Sequence, residues 1–281
     1  MTDNTVKMTI NCNGKLIDVS HPKIMGILNI TPDSFFDGGH YNDTTSILKQ
    51  VEKMLLEGAT FIDVGACSSR PGSMAVTEEE ELKRLIQVVE LLVSTFPDII
   101  LSIDTFRSRV AYQCIQSGAA MINDISAGKM DDNMMKVVGD MGVPYIMMHM
   151  KGTPKNMQDH LDYDNLTKDI IYYFSERIHA ARANKINDLI IDPGFGFAKT
   201  LKQNYHLLSD LNLLAVLDMP ILVGVSRKSM IYKLLDTTPD KALNGTTSLN
   251  TVSLMHGANV LRVHDVKEAM QCIAITDQLN P

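Results

Sequence analysis

A single (β/α)8 barrel of the TIM type, with a short N-terminal β-hairpin, is the α/β architecture this sequence predicts. Two observations predict it. Eight short, almost continuously apolar runs recur along the chain, as parallel strands buried on both faces require, and longer stretches with helical periodicity separate them. A third observation removes the nearest competitor, a doubly wound dinucleotide-binding sheet. No G-x-G-x-x-G follows the first run, "GFGFAK" at 194–199 has Lys199 where a third glycine would stand, and no G-x-x-x-x-G-K-[ST] occurs.

The elements follow in order. "MTINCNGKLIDVS" alternates apolar and polar residues around Asn13-Gly14, a pair favoured in type I′ turns, so a hairpin is expected at about 8–19. The barrel should begin near residue 22 with "KIMGILN". That run leads into "NITPDSFFDGG" at 29–39, a stretch of turn residues that carries Phe35 and Phe36 and has almost nothing to pack a core. Thr44-Thr45 introduce a helix, "SILKQVEKMLLEG", that Gly58 should end. "TFIDVG" is the second strand, followed by the loop "GACSSRPGS". Thr77 then caps a helix with acids in its first turn and Leu82, Leu85, Val88 or Val89 and Leu92 on one face. The remaining strands are "DIILSID", "AAMIND", "VPYIMMH", "DLIIDPG", "PILVGVS" and "NVLRVHD". No low-complexity linker interrupts the series, so residues 1–281 read as one domain.

Composition bounds the function. A net charge of -7 argues against a general nucleic-acid surface, which needs a basic face, but leaves room for a small phosphorylated ligand. Cys12, Cys67, Cys114 and Cys272 stand far apart without a C-x-x-C pair, as free thiols of a reducing cytosol would. No apolar stretch approaches the roughly 20 residues of a membrane helix, and the polar N-terminus lacks the core of a signal peptide, so a cytoplasmic protein is expected.

The strands finish on polar residues: Asn29, Asp63, Asp104, Asn123, His149, Asp192, Ser226-Arg227-Lys228 and Arg262-Val263-His264. In a barrel these ends converge on one mouth, where active sites are built. Any single one, such as Asp63 or Ser226, is more simply a cap or a turn residue. The set is harder to explain that way, because capping rarely calls for Arg, Lys and His together with acids. Asp104, Asn123 and Asp192 suit the N–H-rich edge of a flat heterocycle. Arg70, Lys228, Arg262 and His264 suit an anion or a phosphate, unless the two groups simply pair with each other.

"IMGILNITPDSFFDGG", "SSRPGS", "SIDTF", "INDISAG", "MHMKGTPKNMQ", "IDPGFGF", "VGVSRKSMI" and "NGTTSLNTVSLMHGANVLRVHDV" together resemble the dihydropteroate synthase family, over about residues 22–278. The resemblance implies a cytosolic, usually dimeric barrel of folate biosynthesis that uses Mg2+. It implies condensation of 6-hydroxymethyl-7,8-dihydropterin diphosphate with 4-aminobenzoate, and a site for which sulfonamides compete. Carried onto this chain, it puts Asp104, Asn123, Asp192 and Lys228 around the pterin, with Met148 and Phe197 packed against the ring. Asn29 would touch the Mg2+, and Arg70, Arg262 and His264 would hold the diphosphate. Phe35, Ser69, Arg70, Pro71, Lys228 and Ser229 would shape the aminobenzoate site, with 29–39 a mobile lid that orders over bound substrate. Asp104, Lys228, Arg262 and His264 would carry the catalysis.

One departure stands out. Where the family's second loop commonly reads Gly-Gly-Glu-Ser-Thr-Arg-Pro-Gly, this chain has Ala66, Cys67 and Ser69 in place of Gly, Glu and Thr. Ser69 keeps the hydroxyl, whereas Cys67 removes a charge.

Three alternatives use the same barrel. A pterin-dependent methyltransferase of a corrinoid system would have no use for "SSRPGS" or the diphosphate cations. A class I aldolase would use Lys228 as its amine, with Arg227 depressing its pKa. A non-catalytic pterin-binding barrel would bind ligand without turnover.

Overall fold

The structure is a computed structural model that describes residues 8–30, 41–66 and 76–279. Strands β1 (Thr9–Cys12) and β2 (Lys15–Asp18) pair antiparallel, with Ile10 opposite Ile17. Asn13 and Gly14 between them have φ of 51° and 84°, the positive pair that a type I′ turn demands.

Eight parallel strands follow, each at one of the predicted apolar runs. They are β3 (Lys23–Asn29), β4 (Phe61–Gly65), β5 (Leu101–Asp104), β6 (Met121–Asp124), β7 (Tyr145–Met148), β8 (Leu189–Asp192), β9 (Leu222–Val223) and β10 (Val260–Val263). Their order is β8-β7-β6-β5-β4-β3-β10-β9, and a parallel bridge between Ile191 and Ile221 brings the two ends together. Helices α1 (Tyr41–Leu56), α2 (Glu78–Thr95), α3 (Ser108–Gln116), α4 (Met134–Met141), α5 (Leu166–Ala183) and α6 (Leu201–Ser209) alternate with the strands. Between β9 and β10 lie α7 (Ser229–Tyr232) and α8 (Leu243–Met255), and α9 (Val266–Asp277) completes the chain of elements.

The local signals hold at α2, where the Thr77 hydroxyl accepts the Glu80 N–H at 3.3 Å. Gly58, after α1, adopts φ 106°, which glycine tolerates best. Helix α1 begins at Tyr41, ahead of the expected Thr44-Thr45, because short hydroxylated side chains can serve inside a first turn as well as at a cap.

Successive strand residues point to opposite faces, and the core divides accordingly. Ile62, Val64, Ile103, Ile122, Met147, Ile191 and Leu261 face outward and pack with the helices. Met25, Phe61, Met121, Ile146, Ile190, Leu222 and Val260 form a separate cluster with Ile10, Ile17 and Val19 of the hairpin segment. The hairpin thus closes the N-terminal end of the barrel. It is tied there by the Asn11 N–H to Asp188 (3.0 Å) and by the Asn259 amide to the Val19 carbonyl (3.0 Å). Cys12, Cys114 and Cys272 are buried free thiols, and Cys67 lies outside the described residues.

Candidate active site

Moving up the same inward faces, apolar side chains give way to charge. Register pairs Asp63 with Ser102, Asp104 with Asn123, and Met148 with Asp192, so these side chains stand side by side on neighbouring strands. Asp63 is 0% exposed, Asn123 4% and Asp192 7%, so their polar atoms depend on one another.

Arg262, on β10, joins the group. Its Nε donates to Asp63 Oδ2 at 2.6 Å and its Nη2 to Asp104 Oδ2 at 2.9 Å. Asn123 Nδ2 donates to the same Asp63 oxygen at 3.0 Å. Gly65 makes room for this: a Cβ there would come within 3.3 Å of Asp104 Cβ, so the glycine at the end of β4 lets the Asp104 side chain lie across it.

Opposite, Asp192 Oδ1 accepts the Gly194 N–H at 2.8 Å. The Phe195 carbonyl accepts from Lys228 Nζ, which lies 4.7 Å from the centre of the Phe197 ring. Gly196, with φ 82°, permits the approach, since a Cβ would stand 3.2 Å from Lys228 Cδ. Met148 and Phe197 pack with Ile125 and Met150 on the apolar side of the mouth. Ser229 opens α7 directly after Lys228, and Asn29 ends β3 exposed.

His264 is oriented by Ser226. The serine oxygen accepts the His264 backbone N–H at 3.2 Å and lies 3.0 Å from Nδ1.

Electrostatics follow from burial. It pushes the Asp104 carboxyl up to about 7, with Arg262 opposing the shift and Asp63 adding to it. Burial also raises Asp192, against the pull of Lys228. It lowers Lys228 to about 8, with Asp192 resisting. Arg262 is raised despite its burial, because Asp63 and Asp104 favour its charge.

The structure therefore gathers Asp104, Asn123, Asp192, Lys228 and Arg262 at one end of the barrel, with Asn29, Met148 and His264 at or just past strand ends and Phe197 and Ser229 in the segments that follow β8 and β9. Phe35, Ser69, Arg70 and Pro71, and with them the lid at 29–39 beyond Ile30, lie outside the described residues. Two members of the predicted strand-end set do not join. His149 is buried edge-on against Tyr173 (4.8 Å between centroids), and its Nδ1 is 3.1 Å from Lys199 Nζ. That same lysine, in the place of a third glycine, also donates to the Gly194 and Phe197 carbonyls (2.9 and 3.0 Å), tying down the loop that carries both phenylalanines. Arg227 pairs with Asp265 through Nε (3.0 Å) and Nη2 (2.5 Å), so Lys228 is depressed by burial and not by Arg227.

Asp63, the residue most simply taken as a cap, lies at the centre of the cluster. The signal for it was its place two residues before the end of "TFIDVG", which by strand alternation puts it on the same face as the strand's last residue.

A family model described as "Pterin binding enzyme" matches residues 25–264. The dihydropteroate synthase of Escherichia coli K12 is 40% identical over 272 residues, covering 96% of each chain. That of Haemophilus influenzae is 40% identical over 92% of this chain and 94% of its own. Among solved structures, Yersinia pestis dihydropteroate synthase in a sulfonamide drug complex superposes with a TM-score of 0.90 at 42% identity, covering 97% of this chain and 99% of that one. The Xanthomonas albilineans enzyme with 4-aminobenzoic acid gives 0.89 at 36% identity over 98% and 99%.

Proposed function

The chain belongs to the dihydropteroate synthase family of pterin-binding enzymes, and we propose that its barrel mouth condenses 6-hydroxymethyl-7,8-dihydropterin diphosphate with 4-aminobenzoate. The products are 7,8-dihydropteroate and diphosphate, so the enzyme is a transferase of folate biosynthesis. The observation that carries this is a floor of acceptors, Asp104, Asn123 and Asp192, set beside the cations Arg262 and Lys228. A corrinoid-linked methyltransferase is not favoured, because the Escherichia coli and Haemophilus influenzae relatives, which match nearly the whole chain, are dihydropteroate synthases.

The chemistry is a substitution at a methylene carbon. The C–O bond to diphosphate breaks with its electron pair leaving on oxygen, the amine lone pair forms the C–N bond, and the ammonium proton goes to solvent. An arylamine attacks in its neutral form, so no strong base is required. Positive charge develops on the pterin as the bond stretches, which makes the pathway SN1-like, and fixed charges lower its barrier. The Asp104 carboxylate stabilises the growing cation. Asp192 and Asn123 orient the ring through its N–H edge while Met148 and Phe197 hold its faces. Lys228, positioned by the Phe195 carbonyl, holds the pterin's carbonyl side and the edge of the second substrate. Arg262, His264 and Arg70 take up negative charge on the departing diphosphate. Phe35, Ser69, Pro71 and Ser229 complete the aminobenzoate site, where sulfonamides should compete.

Mg2+ is the metal proposed. Among the described residues no three His, Cys, Asp or Glu side chains are grouped to hold an ion. The hard amide oxygen of Asn29, exposed at the end of β3, suits an ion that keeps most of its ligands as water and diphosphate oxygens. When bound, that ion supplies further positive charge to the leaving group.

We also propose that hairpin and barrel form one domain, since Ile10, Ile17 and Val19 complete the barrel's inner core. No helix among the described residues is long and apolar enough to cross a membrane, and a cytoplasmic homodimer is proposed. Leu234, Leu235, Val252, Met255 and Ile275, exposed near or on the late helices, offer an apolar surface for it. Sedimentation of the purified protein as monomer alone would remove the dimer. The function is tested by diphosphate release with each substrate alone and with both, with and without Mg2+. Release that depends on both substrates is expected, and its absence in the complete mixture overturns the assignment.

A further inference from the structure

Asp63 has no capping role: it lies mid-strand in β4, 0% exposed, and Oδ2 takes up two side-chain donors, Asn123 Nδ2 and Arg262 Nε. Its Oδ1 has no hydrogen-bond partner among the described residues. A buried carboxylate with one oxygen unsatisfied is costly, and a chain that only needed a filled barrel would do better with an apolar residue there. We infer that Asp63 is a positioning residue that sets the donor–acceptor pattern the pocket floor shows to the pterin, an inference that rests on the pterin-binding function proposed above.

The argument turns on the two ends of an amide. An asparagine side chain is nearly symmetric in shape, so sterics alone do not decide which end faces a ligand. An ionised carboxylate can only accept hydrogen bonds. Asp63 therefore obliges Asn123 to turn Nδ2 downward, which leaves the Oδ1 end for the mouth. With Asp104 and Asp192, the floor then consists of acceptors, matched to the amino and ring N–H groups of an aminopyrimidinone. Reversed, Asn123 would set a donor against a donor, and polar mismatches in a closed site discriminate strongly. The same Asp63 oxygen fixes the Arg262 plane through Nε, so that Nη2 reaches Asp104. One buried carboxylate thus orients both the group that reads the ring and a group that faces the leaving diphosphate.

The test compares the parent enzyme, Asp63→Asn, and the exchange variant Asp63→Asn/Asn123→Asp. In the exchange variant the new amide at 63 donates to the new carboxylate at 123, which again turns an acceptor to the ligand. Asp63→Asn, whose neutral amide no longer obliges Asn123 and Arg262 to donate to it, should raise the KM for the pterin diphosphate by ~10-fold or more, while the KM for 4-aminobenzoate stays within about twofold, because both groups that Asp63 orients face the pterin diphosphate. Its pH profile should also move. Removing Asp63's charge takes away one repulsion on Asp104, leaving Arg262, Lys228, Glu81 and Asp124 as charged neighbours, so the acid limb shifts to lower pH. The exchange variant should bring the pterin KM back to within about threefold of the parent.

A parent-like pterin KM in Asp63→Asn, an equal rise for both substrates, or an unmoved acid limb each overturns the inference. Should the single variant fail to fold, the exchange variant decides alone: recovery of the pterin KM supports the role, and a rise of ~10-fold overturns it. The parent in the same assay separates the two levels of the argument. A parent that does not join the substrates sinks the proposed function, whereas an active parent with indifferent variants sinks only the role of Asp63.

Discussion

The two ends of the barrel interior are built from the same strands and yet obey opposite rules. At the N-terminal end, Met25, Phe61, Met121 and Ile190 meet the hairpin's Ile10 and Ile17 in a cluster without a charge in it. Two residues further along β4, and at the matching level of its neighbours, Asp63 and Asn123 are buried instead, joined by the half-buried Arg262, and both Asn123 and Arg262 donate to Asp63. Asp63 and Asn123 are as deeply buried as that cluster, so exposure alone does not distinguish the two levels. What differs is the source of stability. Dispersion and water exclusion hold the closed end, and the loss of one side chain there leaves a cavity. At the mouth, desolvation works against charge, which is why Asp104, Asp192 and Lys228 are displaced from their ordinary pKa values. The division explains how one scaffold can be rigid and reactive together.

The comparison breaks most visibly under Phe61→Ala. That residue is fully buried in the closed-end cluster, and its truncation should cost about 3–5 kcal/mol of stability, seen as a large fall in Tm. Below the melting transition both KM values should remain those of the parent, and a raised pterin KM would show that the two ends are not separable. The converse change is Asp104→Asn, where turnover should fall ~10²–10³-fold with Tm close to the parent's and pterin binding less affected. Equal turnover of mutant and parent at saturating substrate removes Asp104 from catalysis.

The titration of the mouth sharpens the contrast further. Asp104 stands at about 7 and must be ionised to stabilise a cation, so the rate falls as pH drops through that value. Lys228 stands at about 8 and must keep its proton, so the rate falls as pH rises past it. A bell with its top between the two is expected, and its acid limb should vanish in Asp104→Asn. Persistence of that limb assigns it to another group. The smallest effect belongs to the closed end. Gly14→Ala forces a side chain onto φ 84° in an otherwise open turn, costing about 1 kcal/mol, and calorimetry should register it without any kinetic change.

Local chemistry made much of this legible in the sequence. Asn13-Gly14 announced the hairpin, Thr77 the start of α2, and eight apolar runs the strands, because turns, caps and periodicity depend on residues a few positions apart. The polar endings of those runs announced the mouth in the same way. His149 and Arg227 carried the same strand-end signal, yet they turn to Lys199 and Asp265.

What the chain order by itself determined was the alternation of elements and the chemical inventory at their ends, since both are written in short-range patterns. What only the tertiary structure decided was partnership. Arg262 chose Asp63 and Asp104 across 199 and 158 residues, Asn123 turned its amide to Asp63 across 60, and Asp63 became a centre instead of a cap. A buried charge is satisfied by whatever closing the barrel brings within about 3 Å of it, and no local pattern encodes that distance.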